Sequence, residues 1–124
     1  MGRESTRAKG TRGEDLARDF LVERGYTVIA SNWRSRAGEI DLVMQEGDCL
    51  VFVEVKARQG EQAGRAGEAL GRSQSRRILN AGEWFIQEHP EFESMFWRCD
   101  LVAITFDRDG HPSFDHFVNA IVSG

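Results

Sequence analysis

No apolar run in this chain approaches the roughly 18 residues that a membrane-spanning helix needs, so no transmembrane segment is expected. Met1 to Gly10 are polar and basic and contain no apolar h-region, which argues against a secretory signal. Cysteine is scarce: Cys49 and Cys99 stand alone, without CxxC spacing and without a histidine cluster to complete a zinc site. Buried, reduced thiols are the expectation for both, and a cytoplasmic protein follows. The 124 residues show no internal repeat and no second domain, and they suffice for one core without disulfide staples.

The chain also lacks the positive excess of a simple nucleic-acid binder, since its net charge is -4. That mean hides a segregation. Residues 1–36 carry eight Lys and Arg against five Asp and Glu, residues 57–80 carry five against two, and residues 81–124 carry two against eight. Basic flanks around an acidic centre suit a phosphate backbone approaching bound metal ions. A solvated mixed surface would give the same counts.

What is present is concentrated between Gly38 and Lys56, G-E-I-D-L-V-M-Q-E-G-D-C-L-V-F-V-E-V-K. The stretch reads as two apolar strands folded across Gly47-Asp48, a pair with the signature of a two-residue type II′ hairpin loop. That loop sets Glu46 opposite Cys49 and carries Asp41 opposite Glu54, with Cβ atoms on the order of 5 Å apart. Lys56 returns to the same face by alternation. A three-residue loop would put Val53 opposite Asp41 and separate the carboxylates.

Charges on apolar strands need a reason. Asp41 and Glu54 can hold Mg²⁺ or Mn²⁺ through oxygen, with the Val55 backbone carbonyl as a further ligand on the open strand. Lys56 can orient or deprotonate an attacking water or stabilise developing negative charge. That is the chemistry phosphodiester hydrolysis requires. The same three residues would also fit the solvated face of an ordinary hairpin. Against this, Val43 and Phe52 share the face with them.

Elsewhere the periodicity predicts a helix from about Gly13 to Arg24, with Leu16, Ala17, Phe20 and Leu21 as its apolar stripe and Gly25 as its stop. Glu14 lies at the edge of that stripe, where it either complements the helix dipole or reaches the metal site. Tyr26–Ala30 reads as a strand broken at Ser31-Asn32. Arg34, Arg36 and Arg58 are candidate phosphate contacts, as is Arg65 in the Gly-rich stretch after Lys56, which is expected to be a flexible loop. A second helix is expected over about Glu68 to Glu88, ended by His89-Pro90. Its Gln74 lies within the apolar stripe, either hydrogen-bonded in the core or aimed at the site, and Arg72, Arg76 and Arg77 flank it. Phe96–Phe106 is a strong strand, Asp107–Gly110 a turn, and Phe114–Ile121 an edge strand. His111 and His116 have no catalytic partner nearby in sequence and are expected on the surface. The order α-β-β-β-α-β-β implies an α/β domain, a mixed sheet with helices packed on it and a right-handed crossover.

The spacing D-X12-E-V-K after a helix with an acidic residue resembles the PD-(D/E)xK pattern of restriction-endonuclease-like nucleases. More closely, the chain resembles the YraN family of bacterial proteins, themselves similar to archaeal Holliday junction resolvases. The matching stretches are Gly13-Glu14 with Ala17, Asn32 with Arg34, Gly38–Val43, Val51–Lys56 with Arg58, Arg98, Asp100–Val102 and Asn119-Ala120. The resemblance implies a single endonuclease-like domain over residues 13–124; residues 1–12 show no periodicity and are expected to form a flexible arm. It further implies metal ligands at Asp41 and Glu54, a catalytic lysine at Lys56 and an accessory acid at Glu14. The implied activity is metal-dependent hydrolysis of DNA, with a branched or structured form as the substrate that similarity to junction resolvases implies; symmetric cleavage of a junction would require a homodimer. The competing class is a nucleic-acid-binding module that keeps the fold without catalysis. One departure stands out: Gln74 occupies a helix position where such proteins commonly carry lysine.

Overall fold

The computed structural model describes the backbone of residues 6–59 and 72–121, and side chains over 12–59 and 75–120. Its elements are α1 (Thr6–Glu23), β1 (Thr27–Ser35), β2 (Gly38–Glu46), β3 (Cys49–Gln59), α2 (Arg72–Glu88), β4 (Phe96–Phe106) and β5 (Pro112–Ile121), with a 3-10 turn at Pro90–Phe92. The order is the expected α-β-β-β-α-β-β. The five strands form one sheet in the order β1-β2-β3-β4-β5. The pair β3–β4 is parallel and the other three pairs are antiparallel, so the sheet is mixed. A parallel pair needs a crossover, and α2 lies within it.

Each helix buries its stripe on a different face. Ala17 and Leu21 of α1 pack with Leu42, Met44, Val51, Val53, Val102 and Ile104. Ile78, Ala81 and Phe85 of α2 pack with Val43, Leu50, Phe52 and Cys99. On the α2 side Phe52 meets Phe85 and Trp97 edge-on, at centroid separations of 5.7 and 5.3 Å. Gly82 makes room for that ring, because a Cβ there would lie 2.8 Å from Phe52.

The hairpin closes as its turn residues require. Glu46 pairs with Cys49, and the register continues through Gln45↔Leu50, Met44↔Val51, Val43↔Phe52 and Leu42↔Val53. Gly47 has φ +57° and Asp48 is not among the left-handed residues, which fits a type II′ turn. At the other end of α1, Gly25 N–H donates to Val22 and Tyr26 N–H to Leu21, a Schellman closure that stops the helix where expected.

Four boundaries differ from expectation. Helix α1 starts at Thr6 rather than Gly13, because its early turns lack the apolar periodicity that marks the rest. Strand β1 does not break at Ser31-Asn32 but runs on to Ser35, with Asn32 absorbed in a left-handed conformation, φ +51°. Strand β3 extends through Arg58 to Gln59, paired with Thr105 and Phe106, so the stretch expected as a loop begins as strand. Strand β5 begins at Pro112, paired with Phe106. Met1–Ser5 and Gly60–Gly71, with Arg65, lie outside the described residues.

Candidate functional site

The ladder between β2 and β3 ends at Leu42↔Val53, one pair short of the two acids. The next acceptor is a side chain instead of a backbone carbonyl: Val55 N–H donates to Asp41 Oδ2 at 2.8 Å. Strand β2 changes course here. Leu42 packs on the α1 side, and alternation would send Ile40 there too, yet Ile40 belongs to the α2 cluster. Across β1, Ser31 pairs with Leu42 and Trp33 with Ile40, so the left-handed Asn32 falls opposite Asp41. The N–H and C=O of one strand residue point to the same side, so the Val55 carbonyl also faces the gap that Asp41 fills.

Asp41 and Glu54 line a cavity of about 130 Å³ together with Glu39, Arg77 and Ile78. Glu54 is four-fifths buried, and Lys56 Nζ lies 3.9 Å from its Oε2. Glu14 is half-buried on α1 and approaches Asp41 from the opposite face of the sheet, where Asn32 also reaches it. Carboxylates from two faces can meet only because β2 has parted from β3. Glu14 and Glu54 flank Asp41 without all three closing on one point. Among the described residues the tighter carboxylate-histidine group is Asp107, Asp109 and His111. That group is exposed, and Asp107 Oδ1 is occupied by the turn's own Asp109 and His111 N–H groups.

The electrostatics of the site are unfavourable without a cation. Burial, reinforced by the charge of Asp41, raises the Glu54 carboxyl from its ordinary 4.5 to about 8, with Lys56 offsetting part of the rise. The same two causes raise Glu14 to about 7, against a hydrogen bond from Asn32 that lowers it. A divalent ion fits this donor set: hard oxygen ligands, excess negative charge and a backbone carbonyl at the strand gap.

Asp100 provides an internal comparison. It too projects from a strand beside an edge-strand asparagine in the left-handed region, Asn119 at φ +54°, and it too accepts a backbone N–H, from Asn119 at 2.8 Å. Its remaining capacity is filled by protein: Arg98 Nε at 2.9 Å and His116 Nε2 at 2.8 Å. Arg98 donates onward to Tyr26 and Glu46. Asp100 is fully buried and internally neutralised, whereas Asp41 faces two further acids. His116 is therefore not a surface histidine as expected; its side chain is 5 % exposed, bonded to Asp100 of β4 and packed edge-on against Phe20 and Tyr26. Its partner lies sixteen residues away, out of reach of local sequence inspection. His111 is on the surface as expected.

The remaining candidates take separate places. Arg34 is exposed and pairs with Glu39 at 3.3 Å, on the rim of the cavity. Arg36 is exposed in the β1–β2 turn. Arg58 is half-buried on β3, and alternation puts it on the Glu54 and Lys56 side. Gln74 lies in α2, with its side chain outside those described. Glu39 and Arg77 line the cavity; Glu39 was not singled out from sequence as a site residue, and Arg77 only as one of three arginines flanking Gln74. The helical period held the signal for Arg77, which stands three residues from Gln74. Both cysteines are free thiols; Cys99 is buried, which pushes it up to about 12, and Cys49 is half-buried.

Residues 13–104 match the model of the family described as uncharacterised protein family UPF0102. A UPF0102 protein of Rhodococcus opacus (strain B4) is 45% identical over 114 residues, spanning 91% of this chain and 95% of its own. One of Clavibacter michiganensis subsp. michiganensis (strain NCPPB 382) is 43% identical over 107 residues, 86% and 89% of the two chains. One of Pseudomonas aeruginosa (strain LESB58) is 37% identical over 119 residues, 95% of each. The match takes in Glu14, Asp41, Glu54 and Lys56 together with α1 from Gly13, all of α2 and the strands between them, and the chain belongs to the UPF0102 family.

Proposed function

We propose that this protein is a divalent-metal-dependent nuclease that hydrolyses phosphodiester bonds in DNA. The observation that carries the reading is the parted hairpin, in which Asp41 replaces a ladder carbonyl beside Glu54 and Lys56. Asp41 and Glu54, with the Val55 carbonyl, would hold Mg²⁺ or Mn²⁺ there. An ion bound there would supply Lewis-acid neutralisation of the phosphoryl oxygens and would lower the cost of forming hydroxide. Glu54 holds Lys56 near the ligands, so the ammonium can orient the attacking water or stabilise negative charge as the bond breaks. Glu14 extends the acidic wall toward the α1 side and can receive a proton from water. Arg34 at the cavity rim, Arg58 on the Glu54 and Lys56 side of β3 and Arg36 in the β1–β2 turn would contact flanking phosphates.

The mixed sheet with a helix on each face supports likeness to the restriction-endonuclease-like nucleases. Preference for branched DNA rests on the resemblance to junction resolvases alone, and two-fold cleavage of a junction would need a homodimer. The test incubates the protein with duplex, single-stranded and four-way DNA in Mg²⁺ or Mn²⁺, beside Asp41→Ala, Glu54→Ala and Lys56→Ala. Cleavage lost in all three variants supports the reading. Binding without cleavage in either metal leaves a nucleic-acid-binding module, and cleavage that survives Asp41→Ala places the chemistry elsewhere.

A further inference from the structure

The geometry points to Arg77 as a substrate-binding residue, the guanidinium that receives a backbone phosphate at the mouth of the acidic cavity. This rests on the nuclease reading of the same site. Arg77 lines the cavity with Glu39, Asp41 and Glu54, yet the ion pairs there join Lys56 to Glu54 and Arg34 to Glu39. Among the described residues no ion pair takes Arg77. A cation whose task was to neutralise the carboxylates would be bonded to one of them. Arg77 instead stands exposed at the rim, next to Ile78, which is buried and closes the apolar wall.

Its position is held by backbone. Gly38 begins the strand that carries Asp41, and a Cβ on Gly38 would lie 3.0 Å from the Arg77 carbonyl oxygen and 3.5 Å from the Arg77 Cβ. Gly38 also has φ +148°, a conformation that side chains rarely adopt. Helix α2 thus docks on the first residue of β2 at the arginine itself, and the root of the Arg77 side chain is fixed relative to Asp41. A planar fork of donors on a fixed root suits the oxygens of a phosphate, which it can grip bidentately. Phosphates held this way sit over the carboxylate floor without displacing any existing ion pair.

The experiment measures binding of a fluorescent DNA duplex and a four-way junction by anisotropy across a salt series, in Ca²⁺ and in EDTA. Wild type is compared with Arg77→Gln, Arg77→Lys and, as an exposed control on the β4–β5 turn, Arg108→Gln. Thermal melts establish that each variant is folded. Arg77→Gln is expected to weaken binding several-fold and to reduce the log–log salt slope by about 0.9, the loss of one phosphate contact. Arg77→Lys should retain the slope, because the charge remains, and Arg108→Gln should match wild type. In cleavage, Arg77→Gln should raise KM more than it lowers kcat. Wild-type affinity and slope in folded Arg77→Gln would overturn this inference while leaving the nuclease reading intact. Failure of wild type to bind or cleave DNA would remove both.

Discussion

At the scale of single residues, the paired carboxylate Asp100 and the crowded carboxylate Glu54 make opposite predictions for stability when their charge is removed. Asp100→Ala leaves Arg98 and His116 buried without their partner and should cost about 3–5 kcal/mol in chemical denaturation. Glu54→Gln removes a carboxylate held in an unfavourable state and should stabilise the metal-free protein at pH 8 by roughly 1–3 kcal/mol, while abolishing stabilisation by Mg²⁺. The pH dependence follows from the same site. An unfolded Glu54 loses its proton near 4.5 and the folded one near 8, so across that window the folded chain holds more protons. Stability contributed by this group is complete below pH 4.5 and is lost as pH rises through 8. Glu14 adds a loss in the same direction through about 7. Melting temperatures in EDTA from pH 5 to 8.5 should therefore fall, and the fall should flatten in Glu54→Gln. A rise across this window would contradict the assignment. Of these residues, Asp41, Glu54 and Lys56 were legible in sequence because charges on apolar strands are conspicuous. His116 was not, since its reason for burial sits on another strand.

At the scale of elements, the hairpin was legible because its information is local: a Gly-Asp turn chooses the loop, and the loop chooses the register. The parting of β2 beyond Leu42 was not, because it depends on Asp41 competing for the Val55 N–H and on Asn32 across the next strand. Likewise β3 extends to Gln59 because β4 pairs with it there, a tertiary gain that turn-rich sequence conceals. Two glycines test how the elements dock. Gly82→Ala improves helix propensity yet places a methyl 2.8 Å from the Phe52 ring, so it should destabilise by about 1–3 kcal/mol. Gly47→Ala strains a position at φ +57° and should cost about 1 kcal/mol, read as a lower denaturation midpoint. Unchanged stability in Gly82→Ala would mean that α2 rides higher on the sheet than it does in this structure.

For the whole molecule, the order of elements carries the architecture: periodicity indicated both helices, and their place among the strands indicated the mixed sheet. What periodicity could not show is that α1 and α2 cover opposite faces and that a residue of each comes to the surroundings of Asp41. Glu14 arrives from the α1 face, Arg77 from the α2 face, and the opening in the β2–β3 ladder joins them. Segregated charge in the sequence becomes an acidic floor with arginines at its rim. None of the helices among the described residues is long and apolar enough to cross a membrane.

The proposed divalent-cation site at Asp41 and Glu54 is open to calorimetric titration with Mn²⁺ at pH 7 in two buffers of different ionisation enthalpy. At that pH Glu54 is largely protonated and Glu14 about half so, so binding should expel about one proton per ion. Both the binding and the proton release should disappear in Asp41→Ala and Glu54→Ala. Absence of binding in wild type, or binding that persists in both variants without proton release, would contradict the account.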